Sequence, residues 1–596
     1  MKKLVGQASD RTLLVLLLVG FGVLLTTTIV PGVFIIDEDN YLVTVVGLRH
    51  GQLSVPGTEN LTPSRELAYY DPEASRRVIQ STPVVSLVPP LYAFLGLPFS
   101  YSGWRGLVFL NILSFIVAIY LVFRYVEQLT QQRLVPWIAS TLFALGGYCI
   151  EYAQGVWPQM LSVALCLGTI VLCFQARRNG SAVHAFFAGV LIGLATGVRE
   201  QNIFFAACVG LGLLFFGARR YRSVIAYTLG VILLLAVIAT LNYNRFGIWH
   251  PFPKVAGYTQ EVAATTGGTS LLEPLKVFWS KVVDYPSYGS NTAHIRNGHY
   301  QWDETSGTVL MNGVVKKSWI QSSPWIGLAI IALIVSWFVR RVNSSKGIQE
   351  IQVIGLIVVP TLFMFSAAGF DRTDGLSFNQ RYFLELLPLC AIVLALYLDN
   401  AKVNLARLGI GIAVGGIVVV ATLLLPSSTS RHVGERFVPL LLALGLIAAW
   451  FLVKDHSSAF LLLGACIGWA FLFHLESDLV GSRFRRQINA TRLGYLQKTI
   501  PDHSALFTYW GNKDAAGPIQ LEKDVVILDV WADAGHDARL LEEELLAQGR
   551  RIFILDNDMP DEILRALIAD RTFHEYSEGN LRFTEILVPK ALPVSP

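Results

Sequence analysis

Apolar runs close to twenty residues long recur through most of this chain, and few environments tolerate so many of them. A helix rises 1.5 Å per residue, so about twenty residues cross the hydrocarbon of a bilayer. Candidate spans fall at 12–36, 104–123, 134–150, 158–175, 184–198, 202–217, 224–242, 320–339, 351–369, 381–399, 407–425, 437–453 and 458–475, about thirteen in all. Of the whole chain 53% is hydrophobic and 15% charged, where soluble domains carry about a quarter charged residues. The charges concentrate after Leu475, so residues 1–475 read as a membrane domain and 476–596 as a soluble one. A net charge of +4 gives no support to a nucleic-acid partner. Segment 84–99 is apolar too, but Pro83, Pro89, Pro90 and Pro98 are expected to break a helix there. It reads as a re-entrant or interfacial piece.

The run from Leu13 to Ile36 is too long for a signal-peptide core and lacks a small-residue cleavage site, so it is expected to stay as the first span. Cys149, Cys166, Cys173, Cys208, Cys390 and Cys466 all lie in apolar runs. Buried thiols are expected, not disulfides or thiolate metal ligands.

Alternate loops carry the basic residues: Arg124 and Arg133; Arg177 and Arg178; Arg219, Arg220 and Arg222; Arg340, Arg341 and Lys346; Lys402 and Arg407; Lys454. Lys2, Lys3 and Arg11 fall on the same side. Positive charge marks the cytoplasmic side of an inner or plasma membrane. The N-terminus is then cytoplasmic, and loops 37–103, 243–319 and 370–380 lie outside with the C-terminal domain. In that domain Asp524–Val530 and Arg551–Asp556 read as buried strands, with helices at 538–547 and 560–569 and a last strand at 582–588. That is a small α/β domain without a glycine-rich phosphate loop. No internal repeat is evident.

Asp37, Glu38 and Asp39 sit where the first span meets the external face. Three adjacent acids repel one another and are expensive to place at a membrane boundary unless a cation or a reacting proton compensates. A carboxylate there can act as general base toward a hydroxyl or help hold a divalent cation. A solvated acidic helix cap is the alternative. His50, His294 and His299 lack ligand spacing, and the stretch with Arg65, Arg76 and Arg77 reads equally as a lid or a surface loop. The sequons at Asn60 and Asn489 carry no weight in a bacterial cell.

The segment Ile36-Asp37-Glu38-Asp39-Asn40-Tyr41 has the D-E-x-x-Y form. It resembles the first external loop of the GT-C superfamily of membrane glycosyltransferases, especially the protein mannosyltransferase and aminoarabinose transferase branch. Val88-Pro89-Pro90-Leu91-Tyr92 is similar to the P-P-L-Y stretch of these enzymes, and Leu194–Gln201 to their arginine-bearing turn. Gln380-Arg381-Tyr382-Phe383 with Pro388 looks like their R-Y lead-in to a late span. The resemblance implies a GT-C-like polytopic fold and transfer of a sugar from a polyprenyl-phosphate donor to a lipid, glycan or protein acceptor. It implies Asp37, with Glu38 beside it, as the catalytic acids, and inversion by single displacement. Arg381 and Arg199 are the implied ligands of the lipid phosphate, with Asp39, Tyr41, Lys254, Tyr258 and Tyr382 near the donor and acceptor. A divalent metal (Mg or Mn) on Asp37 and Glu151 is left open, because Gln159 stands where an acid is expected.

Each assignment has a rival. Arg381 can snorkel to headgroups, Arg199 can pair with Glu200 or another acid, and Glu151 can be structural. A lipid or polysaccharide transporter would show broken charged helices in repeated halves, and an O-antigen polymerase or ligase would rely on external arginines without an acid after span one. Asp37→Asn is expected to abolish transfer from a labelled polyprenyl-phosphate sugar; undiminished transfer would remove Asp37 from the chemistry.

Overall fold

The computed structural model describes residues 2–34, 36–54, 88–247, 249–252, 272–284, 317–338, 346–367, 379–399, 401–425, 428–453, 456–509, 513–529, 535–557, 559 and 561–587. Among them, eight helices are long and apolar enough to cross a membrane: Asp10–Thr27, Gly103–Glu127, Gln159–Asn179, Arg220–Phe246, Gly347–Phe365, Leu405–Leu423, Gly434–Leu452 and Ser457–Thr499. The remaining expected spans are shorter helices, Val135–Ala144, Ala182–Val198, Asn202–Phe216, Ile326–Phe338 and Leu387–Leu398. Leu16, Leu17 and Val19, and likewise Ile225, Leu229, Ile232 and Leu233, stand exposed along helix faces. A contiguous apolar surface of that kind is stable against hydrocarbon, not water.

The short helices have local causes. Gly146-Gly147 ends the Val135–Ala144 helix, and the Gly146 carbonyl accepts from Trp325 Nε1 (2.7 Å) before the chain turns into Cys149–Ala153. Pro388, in the first turn of Leu387–Leu398, leaves Arg381–Phe383 outside that helix as a single 3-10 turn. The expected break at 84–99 is corrected by a helix, Leu91–Ser100. Pro89 and Pro90 precede its first turn, where a missing N–H costs nothing, and Pro98 falls in its last turn. Ten residues make it about 15 Å long, too short to span.

Glycines in the late spans mark a close crossing. Gly411 and Gly415 of Leu405–Leu423 meet Gly464 and Gly468 of Ser457–Phe473, and a Cβ on any of the four would overlap a backbone carbonyl of the facing helix. Small residues at this spacing let helices associate in lipid through backbone contact.

Ion pairs gather at the basic end of the bundle, Arg133 with Asp10, Arg11 with Glu127 and Arg177 with Glu350. Ser162 lies on the same helix as Arg177, about 22 Å away by helical rise, and faces a second polar cluster at the other end.

The last membrane helix does not stop at the boundary expected near 475. It widens through a π turn, His474–Leu479, and continues as Val480–Thr499. Beyond it a five-stranded sheet has the order β2-β1-β3-β5-β4, with β1 Ser504–Thr508, β2 Val525–Asp529, β3 Arg551–Leu555, β4 Thr572–Glu578 and β5 Leu581–Leu587. β1 is parallel to β2 and β3, while β5 is antiparallel to both β3 and β4. Alternation along β1 sends Ala505 and Phe507 toward helices Gly535–Ala547 and Asp561–Ile568. Leu506 packs on the other face against Leu493 and Leu496 of Val480–Thr499. The sheet is thus bolted to the continuation of a membrane helix. Sequence reading missed β1 and also β4, whose residues are mostly exposed on both faces and give no apolar pattern.

Gly464→Leu is expected to push the glycine crossing apart at a cost of about 1–3 kcal/mol, read as a lower Tm in detergent. Gly409→Leu, at a position with open space around it, should leave Tm unchanged.

Candidate active site

The chain leaves its first helix at Thr27 and enters the Ile36–Arg49 helix after a tight loop. Gly32 takes φ +101° there, a backbone region that side chains other than glycine rarely adopt. Glu38, in the first turn of the new helix, is wholly buried. Its Oε1 accepts from Val156 N–H (2.7 Å) and Arg486 Nη2 (2.7 Å), and its Oε2 from Phe34 N–H (2.5 Å) and Arg486 Nη1 (3.1 Å). A two-pronged guanidinium and two backbone donors are what a dry carboxylate needs. Both oxygens of Glu38, expected beside Asp37 as a catalytic group, meet Arg486 and backbone N–H groups of Phe34 and Val156.

Val480–Thr499 extends this clamp. Arg486 Nη1 also donates to Gly32 O (2.9 Å), Asn489 Nδ2 to Val33 O (2.7 Å), and Arg483 Nη2 to Thr28 O (3.3 Å) and Gln154 Oε1 (3.1 Å). Asp37 lies in the helix so held, one residue before Glu38, and its side chain is outside the described ones. Asp39 is buried against Gly517, where a Cβ would overlap its carboxylate. Nearby, Arg49 Nη1 donates to Leu521 O (3.0 Å), so the C-terminal sheet domain rests on the acid-bearing helix. Tyr41 packs edge-on against Tyr92 (4.9 Å), joining the D-E-x-x-Y and P-P-L-Y segments. Tyr92 Oη accepts from Asn111 Nδ2 (3.0 Å), which also donates to Gly155 O (2.7 Å). Lys254 and Tyr258 fall outside the described residues.

Arg199 and Arg381, 182 residues apart, meet on one aromatic ring. The guanidinium carbons lie 5.4 and 5.3 Å from the Tyr382 ring centre. Arg381 also lies over Trp157 (5.7 Å). The same Trp157 borders Gly155 together with Glu38 Oε1 and Arg486, which leaves no room for a side chain at 155. One contiguous set of contacts therefore runs from the acid-bearing loop through Trp157 to Arg381. Arg199 is buried and pairs with Glu385 Oε1 (2.5 Å), as its rival reading anticipated in kind. Arg381 stays half-buried.

Glu151 belongs to a third group. Asn379 Nδ2 donates to Glu151 Oε2 (3.1 Å) and Asp478 Oδ2 (2.8 Å). Lys317 Nζ reaches both Asp478 oxygens (2.8 and 2.7 Å), and His474 Nδ1 hydrogen-bonds to Oδ2 (2.5 Å). Burial, reinforced by the Asp478 carboxylate, pushes Glu151 above the ordinary carboxylate range. The cation beside these acids is an ammonium of the chain itself. Among the described residues, no three His, Cys, Asp or Glu side chains converge as metal ligands.

Sequence reasoning missed Arg486, Glu385, Asp478, Lys317 and Trp157. Two carried a signal: Glu385 is a lone acid in an apolar run, a placement that asks for a function, and Arg483, Arg486 and Asn489 recur every three residues on one helix face.

Residues 87–290 match the sequence profile of glycosyltransferase family 87. No curated protein sequence matches the chain. Among solved structures, ArnT from Cupriavidus metallidurans is similar in its undecaprenyl phosphate-bound form, with a TM-score of 0.51 at 11% identity, over 97% of this chain and 98% of that one. Its apo form gives the same values. The archaeal oligosaccharyltransferase AglB from Archaeoglobus fulgidus, in complex with an inhibitory peptide and a dolichol-phosphate, gives 0.41 at 11% identity, over 98% and 75%. The fold is GT-C-like, a polytopic helical membrane protein with a small C-terminal sheet domain, as the sequence led one to expect. Within that class, segment 87–290 is what is similar to glycosyltransferase family 87.

Removing one partner of a buried ion pair costs about 3–5 kcal/mol. Arg486→Met is expected to lower the Tm sharply, and Glu38→Gln, whose single amide oxygen accepts from only one of Val156 and Phe34 while its NH2 faces the other donors, should lower it as well. Equal Tm for Arg486→Met and wild type would show that the pair does not hold the loop.

Proposed function

We propose that this protein moves a sugar from a polyprenyl-phosphate-linked donor to an acceptor on the extracytoplasmic face of the cell membrane, with Asp37 as general base. The observation that carries the reading is the half-buried Arg381, stacked on Trp157 and Tyr382 and joined through Trp157 to the loop that bears Asp37. The binding of undecaprenyl phosphate by the similar ArnT supports a lipid phosphate as the anion that Arg381 meets.

In this reading the Asp37 carboxylate takes the proton of an acceptor hydroxyl. That oxygen bonds to the anomeric carbon from the face opposite the phosphate, the carbon–oxygen bond to phosphate breaks, and polyprenyl phosphate leaves with the electron pair. Negative charge grows on the leaving oxygen, and a guanidinium placed before the reaction stabilises it without reorganisation. Arg381 suits that task because a guanidinium is a permanent planar cation with five N–H donors in a fork that matches phosphate oxygens. Glu38 acts indirectly, by fixing the first turn that presents Asp37. The alternation of basic loops supports a cytoplasmic N-terminus and an extracytoplasmic sheet domain.

Arg381→Gln is expected to lower kcat for transfer from a labelled polyprenyl-phosphate sugar about 100-fold, and an alkaline phosphatase fused after Pro596 should be active in intact cells. Full transfer by the variant would sink the role of Arg381, and an inactive fusion alongside an active cytoplasmic reporter at the same point would reverse the orientation.

A further inference from the structure

Glu385 is the only acid between Arg381 and Leu398, and it is almost completely buried. Its Oε1 accepts from Arg199 Nη1 (2.5 Å) and from Ser162 Oγ (2.7 Å). Ser162 in turn accepts from Asn202 Nδ2 (2.7 Å), which also donates to Ala195 O (2.9 Å). Glu385 Oε2 has no hydrogen-bond partner among the described residues. A carboxylate met on one oxygen is poorly compensated, and buried ion pairs of this kind add little to stability over apolar side chains of the same volume. Stability alone therefore does not account for a charge at this position.

What the pair does account for is the placement of its neighbours. Arg199 follows the Ala182–Val198 helix, while Glu385 belongs to the turn that joins Arg381–Phe383 to Leu387–Leu398. With the Gln201 amide oxygen turned toward it, Arg199 also donates to that oxygen from Nη2 (2.6 Å) and Nε (2.7 Å). Its fork is thus committed inward. From that fixed position Nη1 reaches the Arg381 carbonyl (3.4 Å) and the guanidinium covers the Tyr382 ring. Glu385 neutralises a cation that would otherwise repel Arg381, and the two ends of the pair hold the 381–383 turn to the 182–198 helix.

We infer that Glu385 and Arg199 are a buried positioning pair that sets Tyr382 and Arg381 as the cradle for the lipid phosphate, with Arg381 alone of the two arginines facing the phosphate. This inference rests on the donor class proposed above. It replaces direct phosphate binding by Arg199 with support from behind.

The test uses the full-length protein in lipid nanodiscs, titrated with undecaprenyl phosphate and, in parallel, with undecaprenol, which lacks the phosphate. Wild type should prefer the phosphorylated lipid, and Arg381→Gln should lose that preference. Glu385→Gln is expected to reduce the preference about tenfold while binding undecaprenol as wild type does. The double variant Arg199→Met with Glu385→Met leaves no unpaired charge in the bundle and guards against a single variant that does not fold. It should keep a Tm near wild type and show the same loss of preference. A purely structural pair would move Tm and both lipids together, and that result, or a double variant with wild-type preference, overturns the inference while leaving the Arg381 reading intact. Wild type that binds the two lipids equally overturns the donor class itself, and the inference with it.

Discussion

The pairing of Glu38 with Arg486 decides how the two ends of this chain relate. Residues 448 apart close a bidentate contact in a place without water, and two backbone N–H groups complete the coordination of the carboxylate. Such a contact has no intermediate state of much use, because a buried carboxylate without its guanidinium is far less stable than either the formed pair or an apolar substitute. The loop after the first span is therefore shaped by a helix from the last fifth of the chain. That helix is also one wall of the sheet domain, so one helix is shared by the sheet domain and the contacts to the first-span loop.

The arginines divide the work by burial. Arg486 and Arg199 are nearly inaccessible and pair with carboxylates, and the half-buried Arg381 lies over the Trp157 and Tyr382 rings. Glu38, Glu385 and Asp478 each face a cation of the chain.

Much of the fold was legible because hydrocarbon imposes a length and a polarity on anything that crosses it. Each apolar segment read as a span contains a helix, though the first, expected at 12–36, stops at Thr27, and glycines in the late spans mark a close crossing, not a weakness. The interruptions were harder to see. Gly146-Gly147 and Pro388 end helices early because backbone geometry acts over two or three residues, a scale that an apolar run of twenty conceals. Leu91–Ser100 formed despite its prolines because two of them lie before the helix begins. Strand β4 escaped notice since an edge strand with two exposed faces leaves no alternation to read.

The site was legible residue by residue but not pair by pair. Arg199, Arg381 and Tyr382 were named from sequence and do come together. Glu38 and Asp39 looked identical to Asp37 in a run of three acids, and burial by distant elements gave them different surroundings. What the amino-acid sequence determined alone was where the apolar helices fall, the polar C-terminal domain and the chemical types available at one end of the bundle, because transfer between water and hydrocarbon is a local property of each segment. What only the tertiary structure decided was which charge meets which, Glu38 with Arg486 and Glu385 with Arg199, because that choice depends on helices far apart in the chain packing side by side.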